Sequence, residues 1–118
     1  KLDINNKDKK SDKIRTITKY KVFKSSNKLS LVFYMPVTGK THQLRIVSKY
    51  LNTPIIGDAK YNISNKFKSE KLKLNACYLN FIFKEKEYRF ISKLPKHFFD
   101  FMKKNELIYD IEKYLKKL

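Results

Sequence analysis

The sequence predicts an α+β fold, in which helices pack on an antiparallel or mixed sheet, and three observations carry this prediction. Residues 14–23 ("IRTITKYKVF") alternate between opposite faces, as in a half-buried strand. The segments "LSLVFYM", "LNACYLNFIF" and "EYRFISKL" are rich in β-branched and aromatic residues. Apolar residues recur at helical spacing after Gly39 and again after Pro95. With 118 residues, 42% of them hydrophobic, the chain is long enough to bury the core of one domain.

The first element follows a polar lead-in. Residues 1–13 are charged and lack a hydrophobic period, so we expect a flexible linker there and a domain over residues 14–118. The first strand should place Tyr20 and Val22 on its better-buried face. The turn "KSSNK" leads into the strand "LSLVFYM", and the two strands should pair as a hairpin.

A helix is the next predicted element. Pro36 and Gly39 end the second strand, and Thr41 is placed to cap a helix that runs to about Leu51. Its inward face carries Leu44, Val47, Ser48 and Leu51. A polar loop follows, then two strands around the turn "KEKE". Helical periodicity over residues 95–118 predicts one or two terminal helices with basic outer faces.

The charge of the chain narrows the classes of partner. Its 28 basic and 11 acidic residues give a formal net charge of +17, and a polyanion such as nucleic acid or an acidic membrane surface would relieve the self-repulsion. No apolar run approaches the ~18 residues that span a bilayer, and no secretion signal is recognisable. The single cysteine, Cys77, excludes an internal disulfide framework and fits a cytoplasmic location.

The stretch "MPVTGKTHQLRI" contains Gly-Lys-Thr, the ending of a phosphate-binding P-loop. That motif needs a second glycine five residues earlier, where this sequence has Tyr34. The chain has only two glycines, so a glycine-rich phosphate cradle is excluded.

The same stretch places cations on one helix face. His42, Arg45 and Lys49 are spaced i, i+3 and i+7, Lys40 precedes them, and the free N–H groups of a first helical turn attract anions. This pattern is typical of a solvated basic helix face, and it also fits a face that contacts phosphate or takes part in catalysis. The spacing alone leaves both interpretations open.

Neither a metal site nor a thiol nucleophile is indicated. Two histidines and one cysteine, at 42, 97 and 77, lack the spacing of zinc ligands. Cys77 lies among apolar residues of a predicted strand and is expected to be a buried, inert thiol. His97, beside two phenylalanines at a helix start, is expected to pack or lie at the surface.

A longer ordered string carries a resemblance to a known family. It comprises Pro36, Thr38, Gly39, Lys40, Thr41, His42, Gln43, Leu44 and Arg45, then Pro54, Ile55, Gly57, Asp58 and Tyr61. The string resembles the pattern "P-x-T-G-R-x-H-Q-I/L-R-x-H" and "G-x-P-I-x-G-D-x-x-Y" of the RluA-type RNA pseudouridine synthases. The flanking segments "TITKYKV" and "LKLNACYLNF" are also similar to strands of that family, so the resemblance runs from about residue 16 to residue 94.

The resemblance implies a cofactor-free isomerase that flips a uridine out of RNA and rejoins its base to the ribose through carbon. The family's essential group is an aspartate in an "R-L-D-x-x-T-S-G" motif, which must be ionised to act on the sugar. The family arginine that aligns with Arg45 pairs with this aspartate, lowering its pKa and fixing its orientation. Lys40, His42, Gln43 and Lys49 would then face substrate or contact phosphate.

The family's aspartate has no counterpart here. Asp3 lies in "KLD", but no "T-S-G" follows, and Asp58 belongs to the family's Gly-Asp turn and is expected to brace structure. We therefore expect the chain to be the C-terminal part of a catalytic domain and to be inactive alone. The sequence departs from the pattern at Lys40, which keeps charge but loses bidentate geometry, and at Val47 and Asn75, which replace histidines.

The resulting hypothesis is a cytoplasmic synthase that modifies large-subunit ribosomal RNA. An RNA-binding module without catalysis is the alternative, and a basic peripheral membrane protein is a weaker one. A half-sheet would leave an open edge or an uncovered apolar face, so we expect either self-association through that surface or a stable subdomain boundary near residues 10–14.

Overall fold

The computed structural model describes residues 2–7, 13–39, 42–62, 64 and 66–118, and it has the α+β class that the sequence predicts. Three antiparallel strands form one sheet in the order β1-β2-β3, and β4 and β5 pair in a second sheet. The elements in chain order are β1 Leu2–Lys7, β2 Lys13–Ser26, β3 Leu29–Pro36, α1 Gln43–Tyr50, β4 Tyr78–Phe83, β5 Lys86–Ile91, α2 Lys96–Lys104 and α3 Ile111–Leu115.

The strand β1 lies in the segment that we expected to be a flexible linker. It pairs antiparallel with β2, in a register that sets Leu2 opposite Thr18 and Lys7 opposite Lys13. Strand pairing is made by backbone groups, which every residue of the segment carries whatever its side chain. The side-chain period, on which the linker prediction was based, therefore missed this strand.

The β2–β3 hairpin is confirmed, but its buried face is not the one we predicted. Tyr20 and Val22 are 42% and 46% exposed. A register shift between Val22 and Lys24 interrupts the alternation of β2. Phe23 is turned towards the core, where its ring stacks on that of Tyr109 with a centroid distance of 4.5 Å.

The main core lies between this hairpin and the C-terminal helices. Buried Leu31 of β3 packs with Met102 of α2 and with Leu107, which follows α2. The surrounding, partly buried residues are Phe23, Leu29, Leu94, Phe98, Tyr109 and Ile111. The prediction of terminal helices is thus confirmed, and their apolar side chains cover β2 and β3.

The β4–β5 hairpin leaves large apolar side chains in solvent. Ile82 is 75% exposed on one face, while Phe83 and Phe90 are each 55% exposed on the other. Phe81 stacks on Tyr88 across the strands, at 5.3 Å between ring centroids. Among the described residues no helix is long and apolar enough to span a bilayer.

A close backbone approach shapes the connection between α1 and β4. Gly57 has φ +81°, and a Cβ at this position would lie 2.2 Å from the carbonyl oxygen of Lys71. The amide of Lys73 donates to the carbonyl of Ile56 at 2.8 Å, which holds the two segments together. Because the backbone at Ile56 and Gly57 is held in this way, the position of Asp58, which follows Gly57, is also fixed.

Candidate functional site

The start of α1 is tied to β2 through side-chain hydrogen bonds. The hydroxyl of Thr38 accepts from the amide of Ile17 at 3.1 Å and donates to Oε1 of Gln43 at 2.9 Å. Nε2 of Gln43 donates to the hydroxyl of Thr18 at 2.8 Å. The first turn of the helix is therefore anchored to the sheet by Gln43.

The position of the Gln43 side chain differs from the one expected for a side chain that faces RNA. Gln43 is only 6% exposed, and its amide bonds Thr18 and Thr38 on the inner side of the helix. A buried amide needs such partners because leaving it unpaired is costly. The sequence showed a polar residue beside His42 but not the two threonines that the fold brings to it.

The residue that caps α1 is His42, one position later than expected. Its φ of 52° and ψ of 24° are left-handed, and its side chain makes no capping hydrogen bond. The imidazole is exposed, and its Nδ1 lies 3.1 Å from the hydroxyl of Tyr61. The predicted cap, Thr41, and the predicted phosphate contact, Lys40, lie outside the described residues.

Arg45 is held by a carboxylate of this chain. Its Nε donates to Oδ2 of Asp58 at 2.8 Å, and its Nη2 donates to Oδ1 at 2.7 Å. The Asp58 side chain is fully buried, and Oδ1 also accepts from the amides of Lys60 and Tyr61, each at 3.1 Å. The expectation that Asp58 braces structure is thus confirmed.

The ion pair shifts both pKa values in the usual direction. The hydrogen bond from Arg45 and those from the amides of Tyr61 and Lys60 lower the pKa of Asp58, against the opposing effect of burial. The same hydrogen bond to Asp58 raises the pKa of Arg45. Both groups are therefore charged at neutral pH.

Tyr61 completes a cluster with these residues. The guanidinium carbon of Arg45 lies 5.2 Å from the centroid of the Tyr61 ring, a cation–π distance. The hydroxyl of Tyr61 reaches His42, so one aromatic side chain contacts both Arg45 and His42. We call His42, Arg45, Asp58 and Tyr61 the Arg45 cluster. Lys49, one turn further along α1, is exposed to solvent.

From the sequence, Tyr61 was only part of a motif, and Asp58 was a motif residue expected to brace structure. Their spacing of three residues did contain a signal, because an aspartate often accepts from the backbone amides two and three positions later. The pairing of Asp58 with Arg45 had no such signal. It depends on how the connection after α1 folds back beside the helix.

The other candidate groups lie elsewhere. Cys77, just before β4, is half-buried, and burial raises the pKa of its thiol, as expected for an unreactive cysteine. His97 lies at the start of α2, with Nδ1 3.1 Å from Nζ of Lys73. Within the described ranges, no group of three or more histidine, cysteine or acidic residues is arranged to hold a metal ion.

A cavity of about 550 Å³ lies between the β2–β3 hairpin, α1 and α2. Its walls are mostly apolar, with Tyr20, Tyr34 and Ser48 among the lining residues. The hydroxyls of Tyr34 and Ser48 are hydrogen bonded to each other at 2.9 Å. No described member of the Arg45 cluster lines this cavity, so we assign the charged chemistry to the cluster and not to the cavity.

Comparison with known proteins gives consistent matches. The chain is 42% identical over 86 residues to "Ribosomal large subunit pseudouridine synthase C" of Rickettsia typhi, an alignment that covers 70% of this chain and 28% of that protein. It is 37% identical over 90 residues to "Ribosomal large subunit pseudouridine synthase D" of Borreliella burgdorferi, covering 75% of this chain and 28% of the relative. It is 34% identical over 87 residues to the synthase C of Buchnera aphidicola, an alignment that covers 68% of this chain and 28% of that protein.

The chain thus spans less than a third of the length of these curated relatives. No protein-family model matches it.

Proposed function

We propose, on the premise that this chain belongs to the RluA-type family of RNA pseudouridine synthases, that it is part of an enzyme that converts uridine to pseudouridine in large-subunit ribosomal RNA. The three relatives described above, at 34–42% identity, carry ribosomal large-subunit synthase names, which supports both the reaction and the class of RNA. The 118 residues would form part of the catalytic domain of that enzyme. A cytoplasmic location belongs to the same proposal.

One observation carries the proposal. Arg45 occupies the family's arginine position, and its side chain stays 20% exposed after pairing with Asp58, so it is accessible to a further anion. In the proposed reaction that anion is the family's aspartate. A guanidinium beside a carboxylate lowers its pKa and keeps it ionised, and an ionised carboxylate is what the reaction on the sugar requires.

The aspartate itself would come from a segment outside these 118 residues. No acidic residue of the chain matches the family's aspartate motif, and Asp58, which contacts Arg45, is buried in a turn. The chain alone is therefore expected to be inactive, and this stays a prediction.

RNA would be held next to the Arg45 cluster. His42 and Lys49 are exposed on the helix that carries Arg45, and Lys40 precedes them in the sequence. Cationic side chains at this position would contact phosphates beside the flipped uridine. The exposed β4–β5 hairpin is a separate surface, at which we expect self-association.

The test of the function is tritium release from RNA labelled at carbon 5 of uridine, measured with the longest natural polypeptide that contains this chain. We expect release by the wild type and a loss of at least ~100-fold in Arg45→Met, because the pairing with the catalytic carboxylate is removed. Arg89→Met, on the β4–β5 hairpin, is the matched control and should retain activity. An inactive wild type, or an active Arg45→Met, would contradict the proposal.

A non-catalytic RNA-binding module is the second candidate, favoured by the net charge of +17. Both candidates predict that RNA affinity falls with salt, because phosphate contacts release counterions. For about six such contacts the affinity should drop ~10³-fold between about 50 and 200 mM salt, measured by fluorescence anisotropy. Lys49→Ala should reduce the dependence of RNA affinity on salt concentration more than Lys117→Ala, which changes a lysine near the end of the chain. RNA binding that does not weaken with salt would argue against contacts to RNA phosphates. RNA binding without tritium release would favour the second candidate.

A further inference from the structure

We propose that Asp58 is a positioning residue: it grips one edge of the Arg45 guanidinium so that the opposite edge is presented to the catalytic carboxylate. The inference rests on the proposed function and adds a residue with a defined task to it.

The geometry of the ion pair divides the guanidinium into a used and an unused edge. Asp58 takes the side formed by Nε and Nη2, with N···O distances of 2.8 and 2.7 Å. A guanidinium has five N–H groups, and these two are the only ones that bond to described residues. The remaining end, formed by Nη1 and Nη2, has the fork geometry that binds a second carboxylate through two parallel hydrogen bonds.

By contrast, both oxygens of the Asp58 carboxylate accept hydrogen bonds. Asp58 accepts four hydrogen bonds, two from Arg45 and one each from the amides of Lys60 and Tyr61. Its side chain is fully buried, whereas that of Arg45 is 20% exposed. The N–H groups of Arg45 that Asp58 does not use lie on a partly exposed side chain, where they can bond to water or to a further partner. The fixed Asp58 therefore holds an arginine that is still available to a second carboxylate.

The surroundings make Asp58 a rigid support. The preceding residue, Gly57, packs against the backbone of Lys71, where no side chain would fit. On the arginine side, the ring of Tyr61 covers the guanidinium at 5.2 Å. Arg45 is therefore held both at one edge and at one face.

This arrangement has a kinetic consequence. A guanidinium in a fixed position keeps the catalytic carboxylate ionised and aimed, whereas a loose one does so for only part of the time. Losing the grip of Asp58 should therefore lower kcat and raise the pKa of the catalytic carboxylate, which moves the acid limb of the pH–rate profile to higher pH. Substrate contacts would be unchanged, so KM should move little.

The experiment compares Asp58→Asn with the wild type in the longest natural polypeptide that contains this chain. The carboxamide still accepts from the two turn amides but has no charge to hold Arg45. We expect kcat to fall about 10- to 100-fold, as for residues that orient a catalytic group through a hydrogen bond, with the acid limb shifted upward. Asp100→Asn, which removes an exposed ion pair with Lys96, is the matched control and should behave as the wild type.

A double-mutant cycle separates positioning from bracing. In an Arg45→Lys background the bidentate grip is already lost, so Asp58→Asn should have little further effect on kcat. An equal fold-loss in both backgrounds would show that Asp58 acts independently of Arg45, and would overturn the proposal.

The remaining outcomes also decide it. If Asp58→Asn does not fold by circular dichroism, Asp58→Ser, whose hydroxyl can still accept from the turn amides, takes its place with the same expected kinetics. Folded variants with wild-type kcat and pH profile overturn the inference, and so does loss of fold in both, since Asp58 would then be needed only for folding. A wild type that releases no tritium refutes the proposed function instead.

Discussion

At the scale of single residues, Lys73 shows how this basic chain accommodates a buried cation. Lys73 is 9% exposed, donates to the carbonyl of Lys71 at 2.7 Å and pairs with Glu70 at 3.0 Å. Its Nζ also lies 3.1 Å from Nδ1 of His97, and because an ammonium can only donate, this nitrogen accepts and the imidazole is neutral. Burial and the charges of Lys73 and Lys71 lower the pKa of His97.

This arrangement predicts a pH-dependent stability. The unfolded imidazole takes up a proton near pH 6.5, whereas the folded one resists it, so the contribution of His97 is complete above about pH 6.5 and is lost as the pH falls below it. Urea unfolding should give a lower free energy at pH 5 than at pH 7.5, and His97→Gln should reduce this difference. His42→Gln, at an exposed histidine, serves as control; the same pH dependence in all three proteins would contradict the prediction.

Single residues also show what the sequence could and could not predict. The closeness of His42 and Arg45 was readable, because His42 directly precedes the helix that carries Arg45. The partner of Arg45 was not, since the irregular backbone of residues 51–57 determines where Asp58 lies. The burial of Gln43 was not readable for a related reason: its partners come from β2 and from the segment just after β3.

At the scale of elements, the connection between α1 and β4 depends on one glycine. Gly57 has a left-handed φ of +81°, and an added Cβ would meet the backbone of Lys71 at 2.2 Å. Gly57→Ala should therefore destabilise the fold by more than about 1 kcal/mol, through backbone strain and the clash. Gly39→Ala is the matched control, because no atom of the described residues lies within 4 Å of its added Cβ. Thermal unfolding measures both, and equal midpoints would refute the prediction.

Elements with a strong local signal were predicted well. Both hairpins, α1 and the terminal helices follow from alternation or helical spacing within short windows. The prediction failed where long-range contacts decide: β1 pairs through its backbone, and the faces of β2 are set by a bulge and by aromatic residues near the C-terminus. These long-range contacts do not produce a hydrophobic period within the sequence of the strand itself.

At the scale of the whole molecule, the β4–β5 hairpin is an apolar surface on an otherwise highly charged protein. We expect the 118-residue chain to self-associate through it, which sedimentation velocity over a range of concentrations would detect. Ile82→Asp should weaken association about tenfold or more, because burying an isoleucine contributes about 1.5–3 kcal/mol. Val37→Asp, at an apolar residue that is 60% exposed elsewhere, is the control. A chain that stays monomeric at all concentrations would contradict the expectation.

The tight turns of the β2–β3 and β4–β5 hairpins imply an order of folding for these two hairpins. Each hairpin turns through two residues with positive φ, Asn27–Lys28 in the first and Lys84–Glu85 in the second. Asparagine adopts this conformation readily, but lysine and glutamate do not, so closing the second turn costs more. The first hairpin should thus close early in refolding and protect its amides from hydrogen exchange, while the second forms late and frays first.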